Sequence, residues 1–226
     1  MTSGDRFAPQ LTAEEIAAGV EEARKIGTRT AAHAEGAAGI KNALRAGVDS
    51  IEHGTYLDDE ALEMMLDRGV YYVPTFAIRR RIAEEGARGG VPGFILDIVK
   101  RVLDRHLQSL EKARKAGVRV ALGTDAGASL FGHGESAREL EDLVGAGFSP
   151  MEALRAGTAH AAELLGMQEL IGTLEEGKRA DLVVIDGDPL SDIRVLQDSR
   201  RIGAMLVDGQ PVVDRLSLGP AASSIR

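Results

Sequence analysis

One junction recurs along this chain and limits its fold more than any other feature. A helical segment ends at glycine, a short apolar strand follows, and the strand stops at a polar residue suited to chemistry. Lys25-Ile26-Gly27 leads into TRTAAHA and its His33, and Arg45-Ala46-Gly47 leads into VDSIEH and its His53. Asp67-Arg68-Gly69 leads into VYYVPT, ending at Thr75, and Lys115-Ala116-Gly117 leads into VRVALGTD, ending at Asp125. Glycine ends helices because it takes the left-handed conformation without a steric penalty. Apolar strands alternating with helices predict an α/β fold with a parallel sheet covered on its faces. Polar residues gathered at strand C-termini are where α/β barrels keep their chemistry.

The bulk properties narrow the function. At 226 residues with 44% hydrophobic side chains, the chain can bury a core of one large domain with a small annex. Its 35 acidic residues against 27 basic ones give a net charge of −8, and no basic cluster stands out, which argues against nucleic acid as a partner. With no cysteine there is neither a disulfide nor thiolate chemistry, so any metal falls to histidines and carboxylates. The N-terminal MTSGDRFAPQ lacks the apolar centre of a signal peptide, and no run approaches the roughly 20 apolar residues of a membrane span. The expectation is a cytoplasmic protein without membrane contact.

Local signals place the helices. Thr12 with Glu15 forms a capping box at the start of the first, and Ser149-Pro150-Met151-Glu152 forms a second that opens a helix reaching Leu165. Helices are expected from about 37 to 46, from 58 to 68, and over a long stretch ending near Lys115. Gly86 to Gly93 reads as a rim loop that could serve as a lid, and Arg79, Arg80 and Arg81 as a solvated face. His106, mid-helix beside Arg105 and Gln108, reads as a surface residue. From Gly172 the texture changes to short β-rich runs with Asp-Gly turns, ADLVVIDGDPL and IGAMLVDGQPVVD. The expected division is a barrel portion over residues 1–170, a β-rich tail over 171–216 and a frayed terminus over 217–226. Strands are expected at 28–34, 48–53, 70–75 and 118–124, half of the eight that a complete barrel needs.

The segments AAHAEGAAGIKNALRAGVDSIEHGTYLDDE, ALGTDAG followed by GHG, and GTLEEGKRADLVVIDGDPL together resemble metal-dependent amidohydrolases, in the imidazolonepropionase-like and Xaa-Pro dipeptidase-like branch. Each motif is weak alone; their order and their places at strand ends make the likeness specific. It covers about residues 11–213 and implies the C-terminal half of a (β/α)8 barrel followed by a β-rich tail. By position it implies His33 and His53 as ligands to one metal. Asp125 would be a ligand to a second metal and the acid/base that handles the water proton. His133 and Tyr56 would be substrate-side residues able to polarise a carbonyl or hold a carboxylate. The implied cofactor is a divalent metal, zinc first, and the implied substrate a small amide, cyclic amide or dipeptide whose C–N bond is hydrolysed.

The chain departs from that pattern in three places. It contains no His-x-His pair and no lysine in the family's context, and it has His160 where the family usually has asparagine, a position read here as structural. Met1-Thr2-Ser3-Gly4 resembles the turn that follows the family's lysine, so the expectation is an internal methionine of a longer gene. Plainer readings stand beside each assignment. A lone histidine on an apolar strand is usually a satisfied core residue, an Asp in GTDAG can be a turn residue, and Tyr56 can simply pack. Glu52 is expected to point away from the pocket by strand alternation. A half barrel would leave open strand edges, so the chain is expected to form homo-oligomers or bind its missing half. Two other functions remain open: a degenerate remnant acting in assembly, and a lactonase or phosphotriesterase using the same activated water.

Overall fold

The computed structural model describes residues 7–127 and 130–218. The Met1–Gly4 turn and most of the terminus expected to fray lie outside the described residues. Helix α1 (Ala13–Lys25) opens on the Thr12–Glu15 box: the Glu15 amide donates to Thr12 Oγ1 at 3.2 Å and the Thr12 amide to the Glu15 carboxylate at 2.8 Å. Strand β1 (Ala31–Ala34), helix α2 (Ala37–Ala46), strand β2 (Ser50–His53), helix α3 (Asp59–Arg68) and strand β3 (Tyr71–Val73) follow. The three strands pair in parallel in the order β1-β2-β3. Gly47 and Gly69 end α2 and α3 in the left-handed region, the role their sequence positions assign them.

The strands are shorter than their apolar runs. Thr30 is held by Asp49, whose Oδ2 accepts from both the Thr30 amide and its hydroxyl, at 2.8 and 3.0 Å, so pairing begins only at Ala31. The stretch expected as a fourth strand, 118–124, makes a single parallel bridge, Tyr72 to Val120. It stops there because the Leu122 amide turns to the Ala156 carbonyl at the end of a helix, at 2.9 Å.

After β3 the chain enters α4 (Phe76–Glu85), turns through the Gly86–Pro92 region, and runs along α5 (Gly93–Ala116). Val99, Val102, His106, Ser109, Leu110 and Ala113 make up the buried stripe of α5. His106 is therefore a core residue, not a surface one: it is 0% exposed, one turn from Val102 and one from Leu110. Helix α6 (Ala137–Gly145) and helix α7 (Pro150–Ala156) follow, the latter on the Ser149–Glu152 box. The helix expected to reach Leu165 is two helices, α7 and α8 (Ala159–Leu164), broken at Gly157-Thr158. Gly157 sits where a Cβ would meet Leu122 and Leu140 at 3.4 and 3.5 Å, so close packing on the 118–122 stretch accompanies the break.

The core lies between the sheet and the helices. Ile40, Leu44, Ile51, Leu57, Met65, Tyr72, Leu110 and Leu143 are among its members, all fully buried. On the other face of the sheet Tyr71, Val73 and Ala121 pack against Leu164. At the N-terminal ends of the strands, arginines bind the last carbonyls of neighbouring helices. Arg24 donates to Gly47 O at 3.0 Å, Arg68 to Leu44 O at 2.8 Å and Arg119 to Gly69 O at 2.9 Å. These are charge-assisted caps on the negative ends of helix dipoles.

The tail is a separate antiparallel sheet of β4 (Leu182–Ile185), β5 (Ile202–Val207) and β6 (Gln210–Asp214). Asp208 and Gly209, both at positive φ, make the two-residue turn between β5 and β6. Ile193, in the 3-10 turn at Ile193–Gln197, is buried in the main core and docks the tail, and Gln197 donates to Glu141 at 2.8 Å. Among the described residues, no helix is long and apolar enough to cross a membrane.

Candidate metal centre

Unusual backbone recurs at the end of β2, after β3 and after the 118–124 stretch. His53, Thr75 and Asp125 have φ of 68°, 51° and 55°, although none is glycine. Such residues cost free energy and persist where the surroundings enforce them, often at functional sites. The parallel register sets His33, Glu52 and Val73 side by side, so their side chains share one face of the sheet. That corrects the expectation for Glu52: it lies on the same face as His33. Its carboxyl is held partly in place by the Ser50 hydroxyl at 2.6 Å, and burial raises its pKa.

Alternation alone would send His53 to the helix side with Ile51. The positive φ ends the alternation, and the rings of His33 and His53 lie 4.4 Å apart, edge to face at 70°. His53 Nδ1 is 2.7 Å from Thr75 Oγ1, which leaves Nε2 as the nitrogen available to a ligand. The His53 carbonyl accepts from the Tyr72 hydroxyl at 2.9 Å, and the Ser109 hydroxyl donates to Thr55 O, also at 2.9 Å. The turn after β2 is thus clasped by β3 and α5. Burial, with the positive neighbourhood of His33 and Arg79, pushes the His53 imidazole down to about 4, so it is neutral at pH 7 and fit to ligate.

The remaining candidates are more open. Asp125 is exposed, and its negative charge bears on His53 and Glu52. His133 is exposed and lies over Gly127, where a Cβ would meet its Nε2 at 3.4 Å. Tyr56 packs edge-on against Phe7, with ring centroids 4.7 Å apart, and its amide donates to Glu35 O at 2.9 Å. His160 Nδ1 is 3.0 Å from Val120 O, away from the histidine pair. Among the described residues, no three His, Asp or Glu side chains gather closely enough to enclose an ion. The donor set brought together is therefore two imidazoles, one with its second nitrogen already fixed, and this fits half of a divalent-metal shell.

The arginines expected on a solvated face are engaged instead. Arg79 pairs with Glu35 at 2.9 Å with only 11% and 7% of the two side chains exposed. Arg80 pairs with Asp142 at 2.7 Å and Arg81 with Glu85 at 3.2 Å. Sequence reading missed Arg79, Glu35 and Glu139. Nothing in ARELED marks Glu139 as fully buried, yet its two oxygens accept the Phe76 and Ala77 amides at 2.8 and 2.7 Å.

Burial raises two carboxyls of α6, Glu139 to about 8 and Asp142 to about 7. An acid whose folded pKa is raised holds its proton more tightly in the fold than in the unfolded chain, so its contribution to stability is full at low pH and is lost as pH climbs to its folded value. The buried His53 and His106, lowered to about 4 and about 3, act oppositely but only below about 6.5. From about pH 6.5 to 8.5 only the acids contribute, and the urea midpoint is expected to fall over that window. Glu139→Gln should flatten the fall. A midpoint that rises or stays level would contradict these burials.

With this geometry in view, the comparisons with known proteins are direct. The chain is 37% identical over 191 residues to ochratoxinase of Aspergillus niger, covering 84% of this chain and 39% of that one. It is 29% identical over 176 residues to imidazolonepropionase of Caldanaerobacter subterraneus subsp. tengcongensis, covering 74% of this chain and 36% of the relative. A solved Xaa-Pro dipeptidase with bound methionine superposes with a TM-score of 0.81 at 37% identity, over 90% of this chain and 49% of the other. The A. niger ochratoxinase crystal structure superposes at 0.83 with 33% identity, over 98% and 50%. The chain thus spans half or less of the length of these relatives. With the amidohydrolase family matched over residues 2–212, its ordered motifs, its parallel sheet and its paired histidines have one common explanation: the chain belongs to the amidohydrolase family.

Proposed function

We propose that this chain carries part of the centre of a metal-dependent hydrolase that cleaves C–N bonds in small amides, cyclic amides or dipeptides. The observation that carries the reading is the His33–His53 pair at 4.4 Å, with His53 Nδ1 fixed on Thr75 and Nε2 free. His33 and His53 would hold a divalent ion, zinc by preference, and Asp125 would add a carboxylate to the shell. Such an ion, when bound, polarises a carbonyl and brings the pKa of a water toward neutrality. Asp125, exposed at the head of a glycine-rich turn, would take the proton of the attacking water and return it to the leaving amine. His133 above Gly127 can donate to the developing oxyanion. In this reading the barrel portion ends near residue 170 and 171–216 is the tail of a composite β domain. The rest of the coordination shell would come from the first half of a longer protein.

The test is metal content per chain by plasma mass spectrometry, for the wild type and for His33→Ala/His53→Ala, with a panel of dipeptides, a cyclic amide, a lactone and a phosphotriester. About one zinc per chain, lost in the double substitution, is expected of the half-shell, with C–N turnover in the panel once the remaining ligands are supplied. Turnover confined to the lactone or phosphotriester would move the activity to C–O or P–O bonds. Equal trace metal in both proteins and no turnover would overturn the reading and favour an assembly role.

A further inference from the structure

Thr75 sits between β3 and α4 and is the N-cap of α4, but it does not cap. Its backbone is left-handed at φ 51°, ψ 44°, and its side chain makes no hydrogen bond to the helix. A threonine at this position ordinarily takes an extended backbone and turns its oxygen onto the amide of the second or third helical residue. Here the hydroxyl is 2.7 Å from His53 Nδ1 instead. The first two amides of α4 still need acceptors, because Thr75 is buried and so is the start of the helix. Glu139, from α6 and more than sixty residues away in sequence, supplies both: Oε1 accepts from Phe76 and Oε2 from Ala77. Asp142, on the same helix, holds Arg80 of α4 at 2.7 Å and keeps the two helices in register.

The two tasks of Thr75 exclude each other. One side-chain oxygen is available, and the backbone that caps is not the backbone that reaches His53. We infer that Glu139 is a positioning residue: by capping α4 in place of Thr75 it keeps the Thr75 hydroxyl on His53 Nδ1–H, and so holds His53 in the tautomer whose Nε2 is free for a metal. The metal half of this inference rests on the function proposed above; the tautomer half rests on the 2.7 Å contact between Nδ1 and the Thr75 hydroxyl and is read directly below. Glu139 touches no substrate and no ligand nitrogen, and its effect passes through two residues.

The experiment reads the His53 ring directly. Long-range proton–nitrogen correlation spectra of metal-free protein carrying 15N-histidine, at pH 7, report which nitrogen bears the proton, and His53→Asn assigns the signal. The wild type should carry it on Nδ1. Thr75→Val, which removes the hydroxyl at constant shape, should mix the tautomers. Glu139→Gln should do the same, because its amide nitrogen cannot accept the second helix N–H and Thr75 is drawn back to its own helix. The pair combined should go no further than either alone, and Thr75→Ser should restore the wild-type signal. Zinc affinity, measured by competition, should weaken about tenfold in each single variant and no more in the double.

A wild-type proton on Nε2, or a Glu139→Gln spectrum identical to wild type in a merely less stable protein, would overturn the inference. Should Glu139→Gln fail to fold, Glu139→Asp keeps the carboxyl but shortens its reach and is read the same way. If every variant shifts the tautomer as expected while no form binds zinc, the positioning role holds and the metal reading falls.

Discussion

Arg79→Met is expected to destabilise the fold by about 1–3 kcal/mol, because it removes one charged partner from a buried carboxyl. Glu35 is 7% exposed in its side chain, and it also accepts from the Thr55 hydroxyl at 3.3 Å. The pair also has a place in the architecture. Glu35 lies two residues beyond His33, and Arg79 one turn beyond Thr75, so the bond spans the ends of β1 and β3 across His53. Adding Glu35→Gln to Arg79→Met should recover part of the loss, since a neutral amide is cheaper to bury than a carboxylate that has lost its guanidinium. Urea denaturation of the wild type, each single variant and the double variant gives the coupling. A single-variant loss below about 1 kcal/mol would mean that the pair behaves as an exposed one.

Gly54→Ala should cost roughly 2–4 kcal/mol, while Gly117→Ala should cost only about 1 kcal/mol, although both glycines have positive φ. The backbone penalty is shared: φ is 56° at Gly54 and 84° at Gly117. Space separates them. A Cβ on Gly54 would lie 2.5 Å from Tyr72 Cε2 and 3.3 Å from Leu57 Cδ1, whereas nothing stands within 4 Å at Gly117. Tyr72 has no room to yield, being fully buried with its hydroxyl on the His53 carbonyl. The added methyl therefore works against the bond that holds the turn after β2. Melting temperatures of the two variants check the difference; equal losses would show that the Tyr72 wall gives way.

The sequence carried the secondary structure well where local chemistry decides it. The glycine stops, the capping boxes at Thr12 and Ser149, and the Asp-Gly turn of the tail depend on a few adjacent residues. It carried His53 as a strand-end residue but not the reversal of its side chain, because alternation assumes extended φ and His53 has left that region. His106 was misread from its charged neighbours; the stripe through Val102 and Leu110 was the better guide. Strand length was overestimated where a strand lacks a partner, as at 118–124, since pairing and not propensity decides it. Glu139 and the Arg79–Glu35 bond join segments far apart in sequence, and only tertiary packing brings them together.

The arginine caps on the far side of the sheet have a consequence for how such a chain can change over time. Arg24 and Arg68 tie α1 and α3 to the end of α2, and Arg119 ties the 118–124 stretch to the end of α3, at the strand ends remote from His33 and His53. Anchorage and chemistry thus occupy opposite poles. Loops at the histidine pole can lengthen, shorten or exchange side chains without loosening those ties. A lineage built this way can vary its histidine pole while its skeleton stands unchanged.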